Sequence, residues 1–150
     1  SYNVLSFESV PQMKAYEITQ GVVDAINSKK YDFILVNLSN ADMIGHTGNL
    51  KSAIKAIGVI DECVQKIVDA SLKNNADCLI TADHGNAEEM LSNDGEIITS
   101  HTTNPVPVIL CSNKYKSVKL SPNGKLANIA PTVLKLLDLP VPTYMEQPLF

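Results

Sequence analysis

Three short polar segments carry every histidine of the chain, and each brings residue types that suit metal chemistry. They hold Asp42 and His46, Asp83 and His84, and His101. Imidazole nitrogen and carboxylate oxygen together suit manganese, zinc, cobalt or iron better than magnesium, which prefers oxygen donors. These five residues therefore predict a divalent-metal site. A purely structural role, in which Asp and His cap turns and hydrogen-bond to one another, is the alternative that the residue types leave open.

The adjacency of Asp83 and His84 favours two ions over one. Side chains of neighbouring residues diverge from the backbone, so a single ion rarely accepts both in good geometry. Adjacent ligands can instead serve two neighbouring ions, as in dinuclear sites. Five ligands are few for two ions, so water, substrate or other protein groups must complete the coordination.

The elements that position these residues follow from hydrophobic periodicity. Apolar residues at helical spacing predict three helices, over residues 12–28, 50–75 and 131–137. Continuous apolar runs of strand length predict three buried strands, over residues 32–38, 77–82 and 106–111. Between the last two strands, the run Asn93-Asp94-Gly95 predicts a β-hairpin. Alternating strands and helices indicate an α/β fold around a mostly parallel sheet flanked by helices.

Such a fold predicts where the polar segments meet. Sites in open α/β sheets form just beyond the carboxyl ends of the strands. Asp42 and His46 follow the first predicted strand, Asp83 and His84 follow the second, and His101 precedes the third. We therefore expect all five side chains to converge on one edge of the sheet.

The composition limits the class of partner. The chain has 150 residues and a mass of 16.3 kDa, which corresponds to about one domain. Its net charge of -4 argues against nucleic acid and against a membrane surface, and no apolar run approaches the ~20 residues of a membrane span. All 12 cationic residues are Lys. Because Arg is the usual bidentate ligand for phosphate and carboxylate, the chain is not expected to hold a multiply charged anion unaided.

Three segments resemble signature blocks of the cofactor-independent phosphoglycerate mutases, which belong to the alkaline phosphatase superfamily. The blocks are residues 37–48 (NLSNADMIGHTG), 81–88 (TADHGNAE) and 100–108 (SHTTNPVPV). Residues 124–140 resemble the C-terminal helix of the family, and residues 102–105 (TTNP) favour this family over the related phosphopentomutases. Leu38 and Ala41 stand where the family commonly has an aromatic residue and a proline, but neither is a ligand position.

The resemblance implies an alkaline-phosphatase-like fold that is incomplete on its N-terminal side. Residues 1–150 would be the C-terminal portion of a metal-binding phosphatase-type domain. Asp42, His46 and His101 would hold one manganese-type ion, and Asp83 and His84 would hold a second. The family completes the second site with an Asp and the serine nucleophile, both from an earlier segment that has no match here. No catalytic residue and no substrate-binding residue is therefore assigned in this chain.

By the same resemblance, the complete enzyme is a cytoplasmic, monomeric isomerase of glycolysis and gluconeogenesis. It interconverts 3-phosphoglycerate and 2-phosphoglycerate through a phosphoserine, with two divalent metal ions of which Mn²⁺ is the expected kind. This chain alone is expected to be inactive, because the serine segment has no counterpart in it. Two alternatives stay open: another phosphomutase or phosphatase of the same superfamily, and a non-catalytic metal-binding module.

Overall fold

Three helices precede two short strands in the described part of the chain, and a fourth helix follows them. The computed structural model describes residues 7–150. Within that range the helices are α1 (Ala15–Ser28), α2 (Asn40–Gly45), α3 (Leu50–Lys73) and α4 (Ile129–Leu136), and the strands are β1 (Cys78–Thr81) and β2 (Val108–Cys111). Short 3-10 helices occur at Phe7–Ser9 and Leu126–Asn128. No helix in this part of the chain combines the length and the apolar character needed to cross a membrane.

The two long helices lie where the periodicity predicted them, and they pack against each other. α1 ends where Lys29 adopts a left-handed backbone conformation with φ of 53°. α3 begins after Asn49, whose side-chain oxygen accepts a hydrogen bond from the N–H of Ser52 at 3.1 Å. Across the helix pair, Tyr16 Oη donates to Glu62 Oε2 at 2.9 Å. α2, β1 and the 3-10 helix at Phe7–Ser9 all contact α3.

The short helix α2 is fixed by a small apolar cluster. Ile44 of α2 and Ala56 of α3 are both fully buried, and Ala53 and Met90 complete the cluster. Phe7 packs against it. Because small alanines face Ile44, the backbones of α2 and α3 approach closely, and this contact sets the position of the residues that α2 carries.

The sheet of the described residues has two strands, and they run antiparallel. The register pairs Cys78 with Cys111 at one end and Thr81 with Val108 at the other. The expected mostly parallel sheet is therefore corrected for this part of the chain. Antiparallel pairing brings the end of β1 and the start of β2 to the same edge, so the expected meeting of the flanking polar segments does not require parallel strands.

Residues 32–38, predicted as a buried strand, belong to no strand in the described structure. Phe33 is 55% exposed and Leu35 is 84% exposed. An apolar run indicates burial, but a strand also needs a neighbouring backbone to satisfy its N–H and C=O groups. Among residues 7–150 this segment has no such neighbour, so the prediction is wrong here.

The predicted hairpin is present in reduced form. Leu91 and Ile97 form an antiparallel bridge, and Gly95 takes a φ of 82° at the turn, a backbone conformation that favours glycine. The side chain of Ile97 lies against Gly48, which has a φ of 70° in the turn after α2. The hairpin therefore rests on the turn after α2, close to the C-terminal end of that helix.

Candidate metal centre

α2 places Asp42 and His46 on one face. Asp42 lies in the first turn of this helix and His46 caps its C-terminal end, with the His46 N–H donating to the Asp42 carbonyl at 3.0 Å. Residues four apart in a helix project to the same side. Accordingly, His46 Nε2 lies 3.1 Å from Asp42 Oδ1. No helix was predicted in this polar stretch, because six residues are too few to show periodicity.

His101 reaches the same point from the segment between the hairpin and β2. Its Nε2 lies 3.1 Å from Asp42 Oδ1 and 3.1 Å from His46 Nε2. This position follows from the antiparallel sheet, since the approach to β2 runs past the end of β1. Asp42, His46 and His101, which the family resemblance assigns to one ion, thus meet in space.

The three facing atoms form a triangle of a size that suits a metal ion. All three edges, between Asp42 Oδ1, His46 Nε2 and His101 Nε2, measure 3.1 Å. The centre of such a triangle lies about 1.8 Å from each corner, so points about 2.1 Å from all three atoms exist just outside the plane, and this is an ordinary metal–nitrogen or metal–oxygen bond length. A set of two imidazoles and one carboxylate also matches the preference of Mn²⁺, Co²⁺ and Zn²⁺. The residues present therefore fit a divalent ion.

The tautomer of His46 is set by a backbone carbonyl. His46 Nδ1 lies 2.5 Å from the backbone oxygen of Thr99. Thr99 lies in the segment that follows the hairpin. A carbonyl oxygen accepts hydrogen bonds only, so the ring proton must sit on Nδ1 and the lone pair on Nε2. That arrangement, in which a second group orients the imidazole and leaves the opposite nitrogen free, is typical of metal-binding histidines.

Asp83 and His84 lie beside the triangle, directly after β1. His84 Nε2 is 3.9 Å from Asp42 Oδ1 and 3.6 Å from Asp83 Oδ1, and the side chain of Asp83 is 78% exposed. The ring of His84 stacks on that of His101, with centroids 3.6 Å apart. The structure therefore brings all five predicted residues to one edge, with Asp42, His46 and His101 forming the compact triangle and Asp83 and His84 flanking it.

A cleft of about 340 Å³ opens on the side where Asp83 and His84 lie. Its walls come from residues 37–39, 41–42, 57, 82–88 and 105–107, so it lies beside Asp42, Asp83 and His84. Asp42, Asp83 and Glu88 contribute carboxylates to the lining. An acidic cleft of this size repels an anion unless cations neutralise it, which is a further reason to expect a metal there.

Sequence reasoning missed Glu88, although it lies inside one of the blocks. Its carboxylate accepts hydrogen bonds from the hydroxyl of Thr102, from the N–H of Asn86 at 2.6 Å and from Nδ2 of Asn104 at 3.1 Å. These donors, the Thr102 hydroxyl foremost, stabilise the ionised form and lower the pKa of Glu88. Only the fold brings these residues together, so nothing in the spacing of the sequence identifies them.

The chain is similar to known metalloenzymes. The family profile of the metalloenzyme superfamily matches residues 1–141. The 2,3-bisphosphoglycerate-independent phosphoglycerate mutases of Clostridium botulinum and Clostridioides difficile are 47% and 43% identical to the chain over 146 residues, which is 97% of its length. The chain spans 28% and 29% of the lengths of these two relatives.

A solved structure gives the same result at the level of the fold. The crystal structure of Leishmania mexicana phosphoglycerate mutase at low cobalt concentration superposes with a TM-score of 0.91 and 32% sequence identity. The alignment covers 99% of this chain and 30% of the other. The α/β fold class and the resemblance drawn from the three blocks are thereby confirmed, and the chain belongs to the metalloenzyme superfamily.

Proposed function

We propose that this chain is the C-terminal metal-binding portion of the phosphatase-type domain of a phosphoglycerate mutase. The complete protein would interconvert 3-phosphoglycerate and 2-phosphoglycerate in glycolysis and gluconeogenesis, as a cytoplasmic monomer. The observation that carries the proposal is the 3.1 Å triangle of Asp42 Oδ1, His46 Nε2 and His101 Nε2. The identity of 47% to a mutase over 97% of the chain supports assigning this metal site to the mutase reaction.

Two ions, of which Mn²⁺ is the expected kind, would be divided between two ligand sets. Asp42, His46 and His101 supply three donors and would hold the first. Asp83 and His84 would hold the second together with groups from elsewhere in the complete protein, since two protein ligands leave most coordination positions open. The face-to-face contact of His84 with His101 supports such an arrangement, because it places the two sets side by side.

The bound ions would neutralise the charge that develops on a transferring phosphoryl group and activate the attacking oxygen. The residues of this chain contribute binding and orientation. The Asp42 carboxylate would lie next to both ligand sets, since its Oδ1 is within 3.1–3.9 Å of the Nε2 atoms of all three histidines. The net charge of -4 would repel an anionic phosphoglycerate unless metal is present. The same negative charge is unfavourable for binding nucleic acid.

The experiment replaces the matching 146 residues of the Clostridium botulinum relative with the aligned residues of this chain. We expect the hybrid to interconvert 3- and 2-phosphoglycerate with Mn²⁺, and we expect the 150-residue chain alone to show no turnover. The same graft taken from the Clostridioides difficile relative, which is 43% identical to this chain, controls for the fit between the two parts.

The outcome is decided by the hybrid and its His101→Ala variant. Turnover in the hybrid that disappears in the variant supports the proposal. A folded, metal-loaded hybrid without activity, beside an active control graft, contradicts the mutase assignment and favours a non-catalytic metal-binding module. Turnover by the isolated chain contradicts the view that it supplies only part of the active site.

A further inference from the structure

The carboxylate of Glu88 joins the two loops that carry His84 and His101. Its Oε2 accepts the N–H of Asn86, two residues after His84, at 2.6 Å. Its Oε1 accepts the hydroxyl of Thr102, the residue after His101, and Nδ2 of Asn104 at 3.1 Å. One side chain therefore holds both loops, and each of its oxygens already accepts from the chain itself.

A backbone contact ties the same two loops together at the residues next to the histidines. The N–H of Thr102 donates to the carbonyl of Gly85 at 2.9 Å, and the two residues form an antiparallel bridge. A Cβ atom on Gly85 would collide with both the Thr102 hydroxyl and the Glu88 carboxylate. The loops thus approach closely only because residue 85 has no side chain, and Glu88 occupies the space beside it.

The contacts of Glu88 and the bridge between Gly85 and Thr102 also determine how the rings of the two histidines meet. Gly85 follows His84 and Thr102 follows His101, so the bridge fixes the backbone on which each ring is mounted. The rings then stack with centroids 3.6 Å apart and planes inclined by 16°. Stacking of a single aromatic pair is a weak interaction and is too little to order two loops by itself. A charged acceptor that receives three donors is the stronger constraint.

We propose that Glu88 is a positioning residue that holds His84 against His101 and thereby sets the spacing of the two metal positions. The inference rests on the proposed function for the role of the metals, but the positioning itself concerns only residues of this chain. Glu88 is not a ligand in this scheme, since its hydrogen bonds hold both oxygens in the loops. Glu89 is the matched comparison, because its Oε2 accepts from Asn104 at 2.9 Å and it neighbours Glu88 in sequence.

The test uses the 150-residue chain and two measurements. The chain has only three histidines, so their ring protons can be resolved by proton NMR without metal. In the unaltered chain we expect upfield-shifted ring protons and cross-peaks between His84 and His101. In Glu88→Ala we expect these cross-peaks to disappear and the affinity for Co²⁺ to fall by about 10- to 100-fold, the usual loss when a group that orients metal ligands is removed. Glu89→Ala is expected to retain the cross-peaks and bind Co²⁺ within about twofold of the unaltered chain.

A second pair of variants keeps the test decisive if Glu88→Ala fails to fold, which circular dichroism would reveal. Thr102→Ala removes one donor and is expected to weaken the cross-peaks, whereas Thr102→Ser restores the hydroxyl and should restore them. Persistence of the cross-peaks in folded Glu88→Ala, or identical behaviour of the two Thr102 variants, overturns the positioning role. Absence of Co²⁺ binding by the unaltered chain would instead overturn the proposed function, and the metal-free NMR comparison would still decide the role of Glu88.

Discussion

The imidazole rings of His84 and His101 lie face to face, 3.6 Å apart between centroids and 16° from parallel. His101 belongs to the compact triangle with Asp42 and His46, whereas His84 follows Asp83 at the end of β1. The stack therefore lies between the two proposed ligand sets. Since no atom separates the rings, an ion held by one set would lie close to an ion held by the other, as two-metal phosphoryl-transfer sites require.

The two ligand sets predict a hierarchy of metal binding. Three donors converge in the triangle, whereas Asp83 and His84 provide two donors beside an open cleft. His46→Ala and His101→Ala should each weaken the tighter binding of Mn²⁺ or Zn²⁺ by at least about tenfold, and His84→Ala should leave it nearly intact. Calorimetric titration of the three variants measures this. Equal losses in all three would indicate one shared site, and no loss in His101→Ala would refute the triangle as the first site.

Gly85 is predicted to be intolerant of any side chain. A Cβ there would meet the Glu88 carboxylate and the Thr102 hydroxyl, so Gly85→Ala should destabilise the chain by about 1–3 kcal/mol, the range for overpacking. Urea denaturation at neutral pH gives the change in the free energy of unfolding.

Gly58→Ala supplies the control for that substitution. Gly58 lies inside α3, and a Cβ there would meet nothing within 4 Å. Alanine is the better helix former by about 1 kcal/mol, so this variant should be stabilised. If Gly85→Ala were as stable as Gly58→Ala, the close approach of the two loops would not exist in solution.

Glu88 should make the stability of the chain depend on pH. Donation from the Thr102 hydroxyl, and then from the backbone and Asn104, lowers its pKa below the ordinary value of 4.5. Its contribution to folding is therefore complete above about pH 4.5 and is lost as the pH falls through the pKa of the folded state. Urea midpoints of the unaltered chain and Glu88→Gln should differ more at pH 7 than at pH 3.

Glu89→Gln tests whether the effect on the urea midpoint is specific to Glu88, whose carboxylate accepts three hydrogen bonds. Glu89 accepts one amide hydrogen bond, from Asn104, so this variant removes a neighbouring charge without touching the contact between the two loops. A gap between the unaltered chain and Glu88→Gln that stays constant from pH 7 to pH 3 would contradict the ionised, hydrogen-bonded state of Glu88.

Residues 32–38 are predicted to promote self-association of the isolated chain. They expose apolar side chains, with Leu35 at 84%, and in the described structure their backbone joins no sheet. Such a segment is an open template for pairing with another chain. Leu35→Lys should reduce light scattering at a given concentration. Ile54→Lys, at a 64% exposed helical position, changes the same charge and should reduce it less. Equal reductions in light scattering by the two variants would indicate that exposed apolar area in general, and not residues 32–38, causes the association.

Local sequence was sufficient for the helices and insufficient for the sheet. The period of α1 and α3 appears in the order of apolar residues because a helix satisfies its own backbone hydrogen bonds. The apolar runs at residues 32–38 and 77–82 look alike in sequence, yet only the second overlaps a strand, β1. Whether a run forms a strand, and whether its partner runs parallel or antiparallel, depends on which distant segment supplies the neighbouring backbone.

The same division holds for the candidate site. Residue types alone pointed to Asp42, His46, Asp83, His84 and His101, because imidazole and carboxylate groups gathered in polar segments are chemically distinctive. Tertiary structure decided their grouping, since the 3.1 Å triangle requires α2 to rest on α3 and the approach to β2 to pass the end of β1. It also decided the role of Glu88, whose three donors come from positions on both sides of it in sequence. Hydrogen bonds between distant loops leave no periodic trace in the order of residues, so only the fold determines them.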